Sequence, residues 1–254
     1  MAVLTVKQVT FGEGAPKICV PITGRTQEAI LEQAARIRFL PCEVVEWRVD
    51  FFEEARRPSR IWDTLKKLRE ILDRQLLLFT FRTASEGGQL ALDSYDYLWL
   101  NQKAAETGLP DLIDMEYGKN AERAASFVRF AHRRSLPVIM SCHDFEKTPS
   151  PEEMSACLQQ MRETGADLVK LAVMPHSPAD VLALLQVTGE ITAQPDFCPV
   201  ITMSMGRQGL ISRLAGETFG SCMTFGASGQ TSAPGQPDVT DLAIALQILH
   251  KSAQ

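Results

Sequence analysis

The chain has 254 residues, of which 45% are hydrophobic and 22% charged, with a formal net charge of −5. This is the composition of an ordinary globular protein of a size that suits one barrel of about 250 residues, and it argues against a nucleic-acid binder, which would present a basic face. Six scattered cysteines, without a C-x-x-C pair or short Cys/His spacing, argue against a disulfide framework or a metal site. No run approaches the ~18 apolar residues of a membrane span, and MAVLTVKQVTFGEG lacks the pattern of a secretory signal, so a soluble cytoplasmic protein is expected.

Short apolar, β-branched runs then alternate with longer amphipathic segments. The first strand is expected near Lys17 (KICVPI), with TQEAILEQAARIRFL helical after it. Strands near Val44 (VVEWRVD) and Leu76 (LLLFTFR) are followed by PSRIWDTLKKLREILDR and SYDYLWLNQKAAETG. Strands near Leu112 (LIDMEY) and Pro137 (PVIMSCHD) are followed by NAERAASFVRFAHRRS and SPEEMSACLQQMRETG. The sixth strand, near Leu168 (LVKLAV), precedes SPADVLALLQVTGEITA; the seventh and eighth begin near Pro199 (PVITMSM) and Met223 (MTFG). A last helix, DVTDLAIALQILHK, closes the chain. The leading Thr, Ser or Asn of these segments is expected to cap a first turn, and Gly108 and Gly165 to end two helices.

Eight strands alternating with eight helices fit a closed parallel barrel or an open doubly wound sheet. The count of eight and the lack of G-x-G-x-x-G after the first strand favour an α/β (β/α)8 TIM barrel. No linker or repeat marks a second domain, so residues 1–254 are expected to form one. The stretch 228–237, rich in Gly, Ser and Pro, reads as a mobile loop or lid.

Parallel barrel strands are buried on both faces and should be almost wholly apolar. Here Glu46 and Arg48 alternate in one strand, Asp114 and Glu116 in another, Arg82 closes a third with Glu86 four residues on, and His143 ends a fourth. These charges gather at the carboxyl ends of the strands, the face where barrel enzymes build their sites. A structural ion network is the alternative for Glu46 with Arg48 and for Asp114 with Glu116. Asp144 reads as a loop cap, and His132, His176 and His250 as surface or capping residues. Lys170 is the sharpest signal. Apolar neighbours and nearby cations would disfavour its ammonium form, and a neutral amine can attack a ketone or aldehyde. Its alternative is a lysine tip reaching a carboxylate at the barrel mouth. Cys142 and His143 are consecutive on a strand and face opposite ways, which is wrong for a thiolate–imidazole pair.

Taken in order, EWRVD, FTFRTASEGG, SCHDFEKTP, LVKLAVMP, MSMGRQGLISRLAG and TSAPGQ resemble the type I 3-dehydroquinate dehydratase family over nearly the whole chain. The resemblance implies a homodimeric barrel that dehydrates 3-dehydroquinate to 3-dehydroshikimate without metal or cofactor, on the route to aromatic amino acids. It implies Lys170 as the imine-forming lysine, His143 as the proton acceptor and donor, and Glu86 as the carboxylate orienting it. Arg213 would hold the substrate carboxylate, and Glu46, Arg48 and Arg82 the ring hydroxyls and pocket shape. Ser232 and Gln236 would belong to a closing loop, and Met203 and Met205 would line an apolar wall. Two departures stand out: Cys142, where Asn, His or Tyr is expected, and Gly206-Arg207 in place of Ser-Lys. A class I aldolase or transaldolase would also want a strand-six lysine, but with a phosphate site after strands seven and eight. A non-catalytic metabolite sensor would need neither Lys170 nor His143.

Overall fold

In the computed structural model, which describes residues 2–252, each expected strand forms within a residue or two of its expected start. The barrel strands are β3 (Lys17–Ile22), β4 (Val44–Arg48), β5 (Leu76–Thr80), β6 (Leu112–Glu116), β7 (Val138–Asp144), β8 (Leu168–Val173), β9 (Val200–Ser204) and β10 (Met223–Phe225). They pair in parallel in the order β10-β3-β4-β5-β6-β7-β8-β9. A single parallel bridge, Val200 to Ser221, closes the ring between β9 and β10, supported by Cys222 N–H donating to the Val200 carbonyl at 2.8 Å.

The intervening helices are α1 (Gln27–Ile37), α2 (Pro58–Ile71), α3 (Ser94–Glu106), α4 (Ala121–His132), α5 (Pro151–Glu163) and α6 (Pro178–Thr192). Thr26, Ser150 and Ser177 accept from first-turn N–H groups as expected, the two serines in full capping boxes. The other three expected caps fail. Asp93 rather than Ser94 caps α3, Asn120 makes no side-chain cap, and α2 starts on Pro58, whose fixed φ and missing N–H suit a first turn, with Ser59 inside the helix. The seventh interval is split into two short helices, α7 (Leu210–Leu214) and α8 (Gly216–Phe219), before the closing α9 (Val239–Ser252).

One element went unread in the sequence. A hairpin of β1 (Leu4–Val6) and β2 (Val9–Phe11) lies ahead of the barrel. Its Val6 and Phe11 pack with Val44, Leu76, Leu112, Leu168 and Ile201 at the amino-terminal end of the barrel interior. This plug leaves the opposite, carboxyl end free for polar chemistry.

Strand alternation then sorts every side chain. Val45, Trp47, Phe79, Met115, Met140 and Leu171 face the helices in one apolar layer. Glu46, Arg48, Asp114, Glu116, Ser141, His143 and Lys170 have the opposite parity and point to the barrel axis. Trp47 anchors the outer layer, with ring centroids 6.0 Å from Phe79 and 6.1 Å from Phe52. Among the described residues no helix is long and apolar enough to cross a membrane.

Candidate active site

Lys170 leaves the middle of β8, and its register partner on β7 is Ser141; Ala172 is the partner of His143. The imidazole therefore stands one inward position nearer the mouth than the lysine. Both line a cavity of about 410 Å³, part of it open to solvent. Glu46, Arg48, Arg82, Glu86, Met203, Met205, Ser232 and Gln236 line it as well. Ten of the eleven expected site residues thus meet around one space. The eleventh, Arg213, lies just behind the wall, with Nη1 donating to Met203 Sδ at 3.6 Å and Nη2 to the Pro234 carbonyl at 3.1 Å.

The electrostatics around the lysine differ from the expectation. Its nearest charge is a carboxylate, not an arginine: Lys170 Nζ donates to Asp114 Oδ2 at 2.9 Å, the alternative arrangement weighed for it. Asp114 is fully buried and also accepts from Arg82 Nη2 and Ser141 Oγ, both at 2.7 Å. Burial alone would push its carboxyl up, but Arg82, Lys170 and these hydrogen bonds outweigh it and hold the carboxyl down at about 2. The Nζ also sits 5.1 Å from the centre of the Phe225 ring.

Arg82 is the hub. Beyond Asp114 it donates to Glu116 at 3.1 Å, Ser141 at 3.0 Å and Glu86 at 3.5 Å, and Glu116 also takes the Thr83 N–H at 2.7 Å. Arg48 is held bidentately by Asp50, Nε and Nη2 each donating at 2.8 Å. Glu46 accepts from Thr80 Oγ1 at 2.9 Å. Buried ions cost several kcal/mol each unless paired; Arg82 and Arg48 have carboxylate partners, while Glu46 is held by the Thr80 hydroxyl. Asp114 and Glu116 do form the ion network considered for them, and Asp114 also reaches the lysine. Asp50 and Ser141 were passed over, although EWRVD contains the first and the parity of His143 marks the second.

His143 Nδ1 lies 2.9 Å from Glu86 Oε2. Burial holds the imidazole well below its usual range, helped by the cations of Arg82, Lys170 and Arg48. Burial also pushes the Glu86 carboxyl up, to about 9, against the pull of Arg82. Both shifts favour uncharged partners. The Phe145 ring stacks beside the imidazole, centroids 6.5 Å apart, and packs against Gly87. Gly87 has φ +80°, and a Cβ there would lie 2.3 Å from that ring. The EGG sequence thus opens the space that lets Phe145 brace His143.

Arg213 is 1% exposed, and among the described residues no carboxylate pairs with it. Its Nε has no hydrogen-bond partner among them. Burial lowers it to about 10. A buried guanidinium without a carboxylate of its own is suited to an anionic ligand. The loop 228–237 lies over the pocket: Arg48 Nη1 donates to the Ser232 carbonyl at 3.4 Å, and Gly206 N–H to the Pro234 carbonyl at 3.1 Å. Ser232 and Gln236 are tied by two hydrogen bonds of 2.9 and 3.0 Å. His132 pairs with Asp167, His176 with the Glu146 carbonyl and His250 with Glu217, all away from the pocket. Asp144 caps its loop by accepting from Glu146 and Lys147 N–H groups.

Fold and site together define a single (β/α)8-barrel enzyme in which a buried lysine and a histidine–carboxylate pair share one pocket at the carboxyl ends of the strands. The chain belongs to the type I 3-dehydroquinase family, whose model matches residues 18–253. Its activity is that family's hydro-lyase reaction on 3-dehydroquinate. It is 48% identical over 248 residues to the 3-dehydroquinate dehydratase of Listeria welshimeri, covering 98% of both chains, and 46% identical over 247 residues to that of Clostridioides difficile, covering 97% of both. A solved type I 3-dehydroquinate dehydratase of Clostridium difficile, with covalent modified comenic acid, superposes with a TM-score of 0.95 at 45% identity, over 99% of this chain and 98% of that one. That of Geobacillus kaustophilus gives 0.96 at 37% identity, over 100% and 98%. The family excludes the aldolase and sensor readings.

Proposed function

We propose that the dehydration runs through an imine on Lys170. The observation that carries this reading is the emergence of Lys170 and His143 on adjacent strands into one cavity beside an arginine with no carboxylate partner among the described residues. The Lys170 amine attacks the C3 ketone of 3-dehydroquinate, and loss of water leaves an iminium. Asp114, which accepts from Lys170 Nζ, orients the amine for this attack. A proton beside a ketone is too weakly acidic for an imidazole near neutral pH, whereas the iminium draws the electron pair of C2 into an enamine. With Nδ1–H donating to Glu86 Oε2, His143 presents the Nε2 lone pair to the pocket and takes that C2 proton. The enamine then expels the C1 hydroxyl, which leaves as water with the proton from His143. Hydrolysis of the imine frees 3-dehydroshikimate and Lys170.

Arg213 holds the substrate carboxylate, with Met203 between guanidinium and ring. Glu46 and Arg48 face the ring hydroxyls, and Arg82 acts mainly by keeping Asp114 and Glu86 in place. Met205 fills the apolar wall. The loop 228–237 is a lid whose Ser232 and Gln236 close over substrate. No cofactor takes part in these steps. The reaction belongs to the shikimate pathway toward aromatic amino acids, and six free thiols suit a reducing cytoplasm. The working unit is a homodimer, a reading supported by the aliphatic side chains that α7 and α9 expose: Leu210, Ile211, Ile244 and Ile248.

Borohydride added with 3-dehydroquinate tests the mechanism. It should fix substrate on Lys170, as read by intact mass and peptide mapping, and Lys170→Ala should give neither adduct nor turnover. His143→Ala should still form the adduct but stall before elimination. An unmodified Lys170 under turnover conditions would sink the mechanism.

A further inference from the structure

Cys142 departs from the family resemblance, and the proposed mechanism leaves it unused. It stands on β7 between Ser141 and His143, so its side chain points away from the barrel axis into the layer between strands and helices. There its thiol shares one cleft with that of Cys157, on the inward face of α5. Both are half-buried, whereas Cys19 and Cys222 are closed off in the core. Both thiols line an open cleft that also holds Ala84, Gly87 and Met154, and this cleft shares His143 and Phe145 with the catalytic pocket.

We propose that Cys142 and Cys157 form a modification site, a dithiol that hydrogen peroxide converts to a disulfide, and that this bond slows the elimination step by displacing His143. The neighbouring Cys142 thiol favours the thiolate of Cys157, which makes Cys157 the first nucleophile. Its sulfur attacks one peroxide oxygen, the O–O bond breaks, the released hydroxide takes a proton, and Cys157 becomes a sulfenic acid. Cys142 then attacks that sulfur. The S–S bond forms and the hydroxyl leaves as water with the Cys142 proton, so that two thiols have given up two electrons and two protons while peroxide has become two waters.

The two sulfurs must close from non-bonded contact to about 2.05 Å, which draws residue 142 toward α5. His143 is the next residue along, and a catalytic group misplaced by about 1 Å can lose about 10²-fold in rate. This second half rests on the acid–base reading of His143. Formation of the bond does not.

The experiment treats the full-length protein with hydrogen peroxide, then follows intact mass, peptide maps after alkylation, kcat, and borohydride trapping of 3-dehydroquinate. A product lighter by two hydrogens with Cys142 and Cys157 joined is expected. Its kcat should fall at least about tenfold while trapping on Lys170 persists, and dithiothreitol should reverse both changes. Cys157→Ser should keep its kcat under the same oxidant. Free, alkylatable thiols at both positions after oxidation would overturn the site. A formed disulfide with unchanged kcat, or equal inactivation of Cys157→Ser, would overturn its link to His143.

Discussion

The sharpest predictions at the scale of single residues concern Glu86 and Arg213. The Glu86 carboxyl, pushed up to about 9 in the folded protein, keeps its proton where the unfolded chain, titrating near 4.5, has released it. The unfolded state then binds fewer protons, so this group's stabilisation is complete below about 4.5 and is lost as pH rises toward about 9, by up to about 1.4 kcal/mol per pH unit. His143 acts in the opposite sense and elsewhere: lowered on folding, it costs stability only as pH falls below 6.5. Glu86→Gln keeps the size and an acceptor for Nδ1 but not the titration. Its melting temperature should therefore gain on the unsubstituted protein steadily between about pH 7 and pH 9; parallel curves would mean that Glu86 is ionised throughout. Arg213→Lys keeps the charge but loses the planar pair of donors, and a charged hydrogen bond contributes about 1.5–3 kcal/mol. KM for 3-dehydroquinate should rise by about 10- to 100-fold with a smaller change in kcat. Lys170 and His143 were legible as residues because charge is costly in a barrel strand, whereas Arg213, on α7, was legible only through the family resemblance. That Lys170 has Asp114 as its partner was not legible, since the pairing spans 56 residues of sequence.

At the scale of elements, alternation did most of the work: a period of two along each strand separates the apolar outer face from the polar inner one. The loop 228–237 resisted this kind of reading because it has no period. It is held instead by particular close approaches. Gly235 has φ +79°, and a Cβ there would lie 2.2 Å from the Gly206 carbonyl oxygen, whose residue donates to Pro234 in return. Gly235→Ala should displace this loop and raise KM about 5- to 30-fold, the equivalent of the ~1–2 kcal/mol left-handed penalty for a residue with a Cβ. Steady-state kinetics with an unchanged melting temperature would confine the effect to the loop; an unchanged KM would argue against a lid role. The hairpin of β1 and β2 also escaped notice, because three-residue strands carry too few positions for a period to register.

For the whole molecule, assembly is read directly in solution. Ile244 and Ile248 lie one turn apart on α9, and α9 packs beside α7 with its exposed Leu210 and Ile211. Ile248→Glu should shift the protein from dimer to monomer in sedimentation or light scattering, since a buried unpaired charge costs several kcal/mol at an interface. Unchanged mass would place the contact on another face.

By itself the sequence determined the class of fold, the number of barrel strands and the mouth at which the chemistry gathers. Those follow from local patterns, namely strand period, helix period and the cost of burying charge. Only the tertiary structure decided which charges neutralise one another: that Arg82 binds Asp114, Glu86 and Glu116 at once, that Asp50 clamps Arg48, and that Arg213 is left with no carboxylate among the described residues. Coulomb interactions depend on distance through space, and a closed barrel sets those distances by bringing residues far apart in the chain to within about 3 Å of each other.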